Sequence, residues 1–142
     1  MTESVLVPMD DSTHAVHALE YAFETFPTAD ITVLHVVGVP SMMMGEATAL
    51  ALEDELETAA ENYAEDVFTQ AHSVAEQRDR EISTVVGIGH PARNILKRAK
   101  NYDAIVLGAH GADRGRATRR FLIGNIAETV VKRAPTPVIV VR

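Results

Sequence analysis

Short aliphatic runs alternate with amphipathic segments along the chain, and no other feature limits its fold as much. Val5-Leu6-Val7 is stopped by Pro8, and Asp10, Asp11 and Ser12 then offer capping side chains to a helix. In that helix Val16, Leu19, Phe23 and Phe26 recur every three or four residues and share a face, which Pro27 and Asp30 close. Ile31 to Val37 is apolar nearly throughout, the pattern of a parallel strand buried on both faces. After the break at Gly38 to Gly45, an acidic amphipathic helix from about Ala47 to Arg78 carries Leu52, Leu56, Ala59, Tyr63, Val67 and Val74 on one side. Met42, Met43 and Met44 in that break read as an apolar linker.

Glu81 to Val86 reads as a third strand and Gly87-Ile88-Gly89-His90 as a turn. Pro91 then opens a helix through Lys100, with Ala92, Ile95, Leu96 and Ala99 facing inward. Ala104 to Leu107 is a fourth strand, followed by a long Gly- and Arg-rich loop, a helix from about Asn125 to Arg133 and a last strand at Val138 to Val141. Five strands alternating with four helices specify an α/β fold, a parallel sheet covered on both sides through right-handed crossovers. No linker or internal repeat interrupts residues 1–142, so one domain is expected. In such sheets ligands bind beyond the carboxyl ends of the strands, where strand order reverses, which directs attention to the loops after strands one and four.

Composition removes several function classes. The chain has no cysteine, which excludes thiolate metal sites, iron–sulfur clusters, disulfide scaffolds and a cysteine nucleophile. The first residues form neither a basic stretch nor a long apolar run, and no segment reaches the length of a membrane span, so a cytoplasmic location without membrane association is expected. A formal charge of −7 disfavours nucleic acid as a partner. There is no Gly-x-Ser-x-Gly elbow, no Gly-x4-Gly-Lys-Ser/Thr loop and no His-Glu-x2-His, and no catalytic or metal-binding residue is assigned. His14 and His17 are three residues apart near Asp10 and Asp11, but a third metal ligand is not evident. His35 reads as a buried, satisfied histidine and His110 as a loop hydrogen-bonding group.

The most informative stretch is Leu107-Gly108-Ala109-His110-Gly111, twelve further residues, then Gly124-Asn125-Ile126. Gly108 and Gly111 allow close approach of the main chain to a ligand, and Gly124 leads into a helix whose free N–H groups suit a phosphate. Asn125 adds an amide donor. The same glycines also serve a turn and a helix start, and spacing alone does not decide between the two. Arg114, Arg116, Arg119 and Arg120 crowd the intervening loop, clamping phosphates, solvated, or forming a patch for an acidic protein partner.

The run LGAHG, continued by FLIGNIAETVVKRAPTPVIVVR, resembles the C-terminal signature of universal stress proteins. VLVPMDDS, LHVV and VVGIGHPARNIL resemble earlier segments of that family, so the likeness spans the chain. It implies a Rossmann-like three-layer sandwich of the adenine nucleotide α-hydrolase-like type, with strand order 3-2-1-4-5. It also implies an ATP-binding or related adenine-nucleotide-binding regulatory protein of the stress response, with magnesium as an accompanying ion. The nucleotide-binding members have Gly-x2-Gly-x9-Gly followed by Ser or Thr, whereas here twelve residues intervene and Asn125 takes the last place.

By the same resemblance, Asp10 contacts the adenosine moiety and Pro8 and Met9 shape the wall. The Val36 backbone pairs with the adenine edge, Leu107, Gly108 and Gly111 meet ribose and phosphate, and Gly124, Asn125 and Ile126 the outer phosphates. Helix capping is an alternative role for Asp10. Slow ATP hydrolysis is the enzymatic alternative, against which stands the lack of a water-positioning base. A phospho-acceptor domain would need an aspartate after the third strand, where Gly87 to Gly89 stand. A nucleotide-free dimer module is the remaining reading. The apolar last strand is an edge that a homodimer across a two-fold axis would cover, as the resemblance also implies.

Overall fold

The computed structural model describes residues 2–38, 53–110 and 124–142, apart from the side chains at 53–60 and 63. The order is β1 (Ser4–Pro8), α1 (Thr13–Thr25), β2 (Asp30–Val37), α2 (Glu53–Gln77), β3 (Ile82–Ile88), α3 (Pro91–Ala99), β4 (Ala104–Gly108), α4 (Asn125–Arg133) and β5 (Val138–Val141). The strands form one five-stranded sheet in the order β3-β2-β1-β4-β5, and every pairing is parallel. This is the α/β sandwich that the alternation of elements and the resemblance lead to.

Alternation along β1 divides the core into two layers. Val5 and Val7 face α1 and α2, packing with Leu19, Phe23, Val67, Ala71 and Val106. Leu6 faces α3 and α4, packing with Leu34, Ile95, Ile105 and Val130. All three β1 side chains are fully buried, as expected for a central parallel strand. In β2, Ile31, Val33 and Leu34 are buried, but His35, Val36 and Val37 are only half-buried as the strand emerges at its carboxyl end.

Ser12 takes the α1 cap, its Oγ accepting the Ala15 N–H at 3.1 Å. At the other end Phe26 is the C-cap, outside the helix proper. The last carbonyls of α1 find a partner distant in sequence. Arg80 donates to the carbonyls of Phe23, Phe26 and Ala29 at 3.3, 3.2 and 2.9 Å, and its guanidinium lies 5.0 Å from the Phe23 ring centroid. Arg78 pairs with Glu20 and Glu24 at 3.1 and 3.2 Å. The turn between α2 and β3, where Asp79 adopts a positive φ of 54°, thus fastens α1 from below.

Two sequence expectations need correction. Gly87 and Ile88 continue β3 instead of forming a turn, pairing with Val36 and Val37. The reason is Asn94, buried in α3 where the periodicity gave only apolar residues. Its amide nitrogen donates to the carbonyls of Ile88 and His90 at 3.2 and 2.9 Å, and its oxygen accepts from Arg98 at 2.9 Å. A Cβ on Gly87 would lie 2.6 Å from that oxygen, so a strand glycine makes room for a buried amide. Leu96, expected to face inward, is half-buried. Leu52, the expected helix start near Ala47, Met42 to Met44 and the side chains of Leu56, Ala59 and Tyr63 lie outside the described residues.

Asp103 ties the start of β4 to that of β1: its Oδ2 accepts the N–H groups of Glu3 and Ser4 at 2.9 and 3.1 Å. These bonds hold its carboxyl below the usual carboxylate range. A depressed native value gives stability that is present above the unfolded pKa of about 3.9 and is lost as pH falls through the native value. Asp103→Asn is expected to lower the urea midpoint at pH 7, and the gap to the parent should narrow progressively as pH falls below about 3.9. A gap that keeps its size over that range would remove the charge from this account.

Candidate functional site

At the carboxyl edge of the sheet, β1 lies between β2 and β4, so the chain leaves its first strand at the point where strand order reverses. The sheet hydrogen bonding outlasts the strands there. Met9 N–H donates to Leu34 O at 2.8 Å, and Ala109 N–H to Val141 O at 2.7 Å. Pro8 ends β1 opposite Leu34, Met9 is buried, and Val36 is half-buried opposite Gly87. Leu107 is buried opposite Val140, and Gly108 ends β4 opposite Val141.

Asp10 is half-buried in the β1–α1 loop, where its Oδ1 accepts the Ser12 N–H at 2.9 Å. That bond shapes the loop and leaves the cap of α1 to Ser12. Gly124 N–H donates to Ala109 O at 2.7 Å, drawing the start of α4 back to the end of β4. Gly124 is the N-cap of α4 with no side-chain capping bond. Asn125 and Ile126 follow as exposed residues of the first turn, and the Asn125 carbonyl accepts from Thr129 Oγ1 at 2.9 Å. Glu128, the acid of that turn, is bonded at 2.8 Å to Lys132, which lowers the Glu128 carboxyl pKa. Its charge is therefore engaged toward the C-terminal end of α4, leaving a positive helix end that Gly124 does not cap with a side chain at the carboxyl edge of the sheet.

The structure thus places Pro8, Met9, Asp10, Val36, Leu107, Gly108, Gly124, Asn125 and Ile126 at the carboxyl ends of β1, β2 and β4 and the opening of α4. Gly111 and Arg114, Arg116, Arg119 and Arg120 lie outside the described residues.

Three contacts at this edge escape sequence reasoning. A Cβ on Gly108 would lie 2.8 Å from the backbone carbon and Cβ of His14 and 2.9 Å from its carbonyl oxygen. The first turn of α1 therefore rests directly on the end of β4, and Gly108 is required by packing whatever the ligand. The His14 ring meets His110 edge-on, with centroids 5.2 Å apart and planes at 80°, and its Nδ1 is buried without a hydrogen-bond partner among the described residues. His35 Nδ1 lies 2.7 Å from Met9 O. A carbonyl only accepts, so this nitrogen carries the proton and the imidazole fixes the peptide ahead of Asp10. Strand alternation places His35 on the α1 side, but nothing in the sequence signals its partner. Among the described residues no group of three or more His, Cys, Asp or Glu side chains could hold a metal ion.

The class these features define is a doubly wound α/β protein whose crevice, at the reversal of strand order, is floored by glycine and faced by a helix N-terminus. The universal stress protein family model matches residues 1–142, and the chain belongs to that family. It is similar to Universal stress protein MJ0577 of Methanocaldococcus jannaschii, 26% identical over 100% of this chain and 96% of the relative. Among solved structures, Universal stress protein UspA from Lactobacillus plantarum is 30% identical with a TM-score of 0.78, covering 99% of this chain and 98% of that one. The fold is also that of the universal stress protein from Archaeoglobus fulgidus in complex with dAMP, at 20% identity and a TM-score of 0.64, covering 100% and 98% of the two chains. Among the described residues no helix is long and apolar enough to cross a membrane.

Gly108→Ala is expected to destabilise the fold by about 1–3 kcal/mol, because the new methyl meets backbone and not a movable side-chain end. Chemical denaturation measures this. An unchanged midpoint would show that α1 does not rest on β4 as described.

Proposed function

We propose that this chain binds an adenine nucleotide, ATP or a relative, at the carboxyl edge of β1 and β4, and acts as a cytoplasmic regulatory protein of the stress response. The observation that carries the reading is the Gly124 to Ala109 hydrogen bond, which brings the start of α4, where Gly124 gives no side-chain cap, to the end of β4. Membership of the family and the dAMP complex of a relative with this fold support it. In this reading Asp10 and the Val36 backbone address the adenosine, with Pro8 and Met9 as wall. Leu107, Gly108 and Gly111 approach the ribose and inner phosphate, and the backbone amides of Gly124, Asn125 and Ile126 the outer phosphates. Magnesium would accompany a triphosphate through phosphate oxygens and water.

Calorimetric titration with ATP, ADP and AMP, with and without magnesium, tests the reading. The parent is expected to bind, and Gly124→Arg to bind at least roughly tenfold more weakly, the equivalent of one charge-assisted hydrogen bond or less. Near-native denaturation of the variant would separate a lost site from a lost fold. Absence of binding by the parent would leave a nucleotide-free dimer module.

We further propose a homodimer through β5. Its far edge has no partner strand among the described residues, and Val138, Ile139, Val140 and Val141 are all half-buried. Pairing across a two-fold axis would supply the missing ladder. Val140→Lys, with far-UV dichroism retained, is expected to reduce the mass in light scattering in 1 M sodium chloride to that of a monomer; a mass that stays dimeric there would place the interface elsewhere.

A further inference from the structure

Charge is distributed very unevenly along this chain, and among the described residues the helices carry opposite charge on the two sides of the sheet. Residues 1–90 hold 17 of the 20 acidic side chains and 2 of the 13 basic ones, a balance of −15. Residues 91–142 hold the other 3 and 11, a balance of +8 within the total of −7. The helices α1 and α2 cover one side of the sheet, and α3 and α4 the other. In the first layer α1 has Glu20 and Glu24, α2 has Glu61, Glu65, Asp66 and Glu76 among its described side chains, and neither helix contains Lys or Arg. The two arginines that follow α2 are engaged by α1, Arg78 with its glutamates and Arg80 with its carbonyls, and expose no basic patch there. In the second layer α3 has Arg93, Lys97 and Arg98 and no acid, and α4 has Lys132 and Arg133 against Glu128 alone. Glu128 and Lys132 pair with each other, and Arg98 serves Asn94. Arg93, Lys97, Lys100 and Arg133 stand exposed.

We infer that the basic α3/α4 face docks on the acidic α1/α2 face of a second copy of this chain, a head-to-tail contact independent of nucleotide and of the β5 edge. Complementarity is what selects this occupant: each molecule carries both halves of the match. Exposed apolar groups lie on both faces, Val131 on α4 and Tyr21 on α1, which suits a protein surface better than a phosphate backbone. The net charge also opposes a large polyanion.

Salt dependence distinguishes the contact from simple attraction. The two helix layers are separated by the sheet and by more than one helix diameter of about 10–12 Å. At 0.1 M salt the Debye length of about 10 Å lets the apposed faces see each other and hides the distant acidic layer, whereas at 0.01 M, with about 30 Å, the two net charges repel. At 1 M, with about 3 Å, the attraction itself is screened. Association should therefore pass through a maximum near 0.1 M. A head-to-tail contact that does not close into a ring propagates, so mass should rise with protein concentration beyond that of any closed dimer.

Sedimentation velocity of the full chain over 0.01–1 M sodium chloride tests this, with Lys97→Glu/Arg133→Glu reversing one face and Glu61→Lys/Glu65→Lys the other. The parent is expected to show the maximum, each variant alone to lose it, and an equimolar mixture of the two to regain it, which misfolded variants could not do. A parent whose mass ignores salt, variants that associate as the parent does, or a mixture that stays apart would overturn the inference. So would a parent that does not self-associate but binds a labelled DNA duplex or anionic vesicles through Lys97 and Arg133.

Discussion

Everything at the functional edge hangs on β1 being hydrogen-bonded on both sides. Its fully buried Val5, Leu6 and Val7 join two core layers, and its ladders to β2 and β4 set where the loops after these strands emerge. The Met9 N–H bond to Leu34 and the imidazole of His35 on the Met9 carbonyl carry that order past the end of the strand. Asp10 therefore follows a residue held at both its backbone N–H and its carbonyl, and its carboxylate turns the chain into α1 through the Ser12 N–H. Preorganisation of this kind lowers the entropy that a ligand would otherwise lose on ordering the loop.

Glycine works in different ways within this one sheet. At Gly87 the missing side chain admits the Asn94 amide, and at Gly108 it admits the backbone of α1. At Gly124 a Cβ would lie 3.1 Å from Ala109 O, the carbonyl that its own N–H seeks. A loop read as glycine-rich for a ligand is thus also constrained by what the protein packs against itself. The two demands are compatible, since both need backbone brought close to a neighbour.

Most of the fold was legible because parallel strands and amphipathic helices leave strong local patterns. Val5 to Val7, the Leu19 and Phe23 stripe and the Pro91 helix start each follow from periodicity or capping chemistry. The end of β3 was not legible, because Gly87 owes its strand conformation to a side chain seven residues later in a different element. The glycines and the resemblance they carry direct attention to the carboxyl edge of the sheet, where Gly108 ends β4 and Gly124 precedes α4. The His14 contact with Gly108 and the His35 contact with Met9 span 94 and 26 residues, respectively, and no local pattern encodes such pairs.

The fastening of α1 gives the molecule an unequal stiffness. That helix is held below by the Arg80 and Arg78 side chains and above by its seat on Gly108, so it behaves as part of the sheet. Among the described residues the start of α4 is joined to β4 by the single Gly124 to Ala109 bond, and its far end leads within a few residues into β5. The two helices that border the edge are thus held by different means, α1 by polar side chains and a backbone seat and α4 by Ala127 and Val130 in the second core layer.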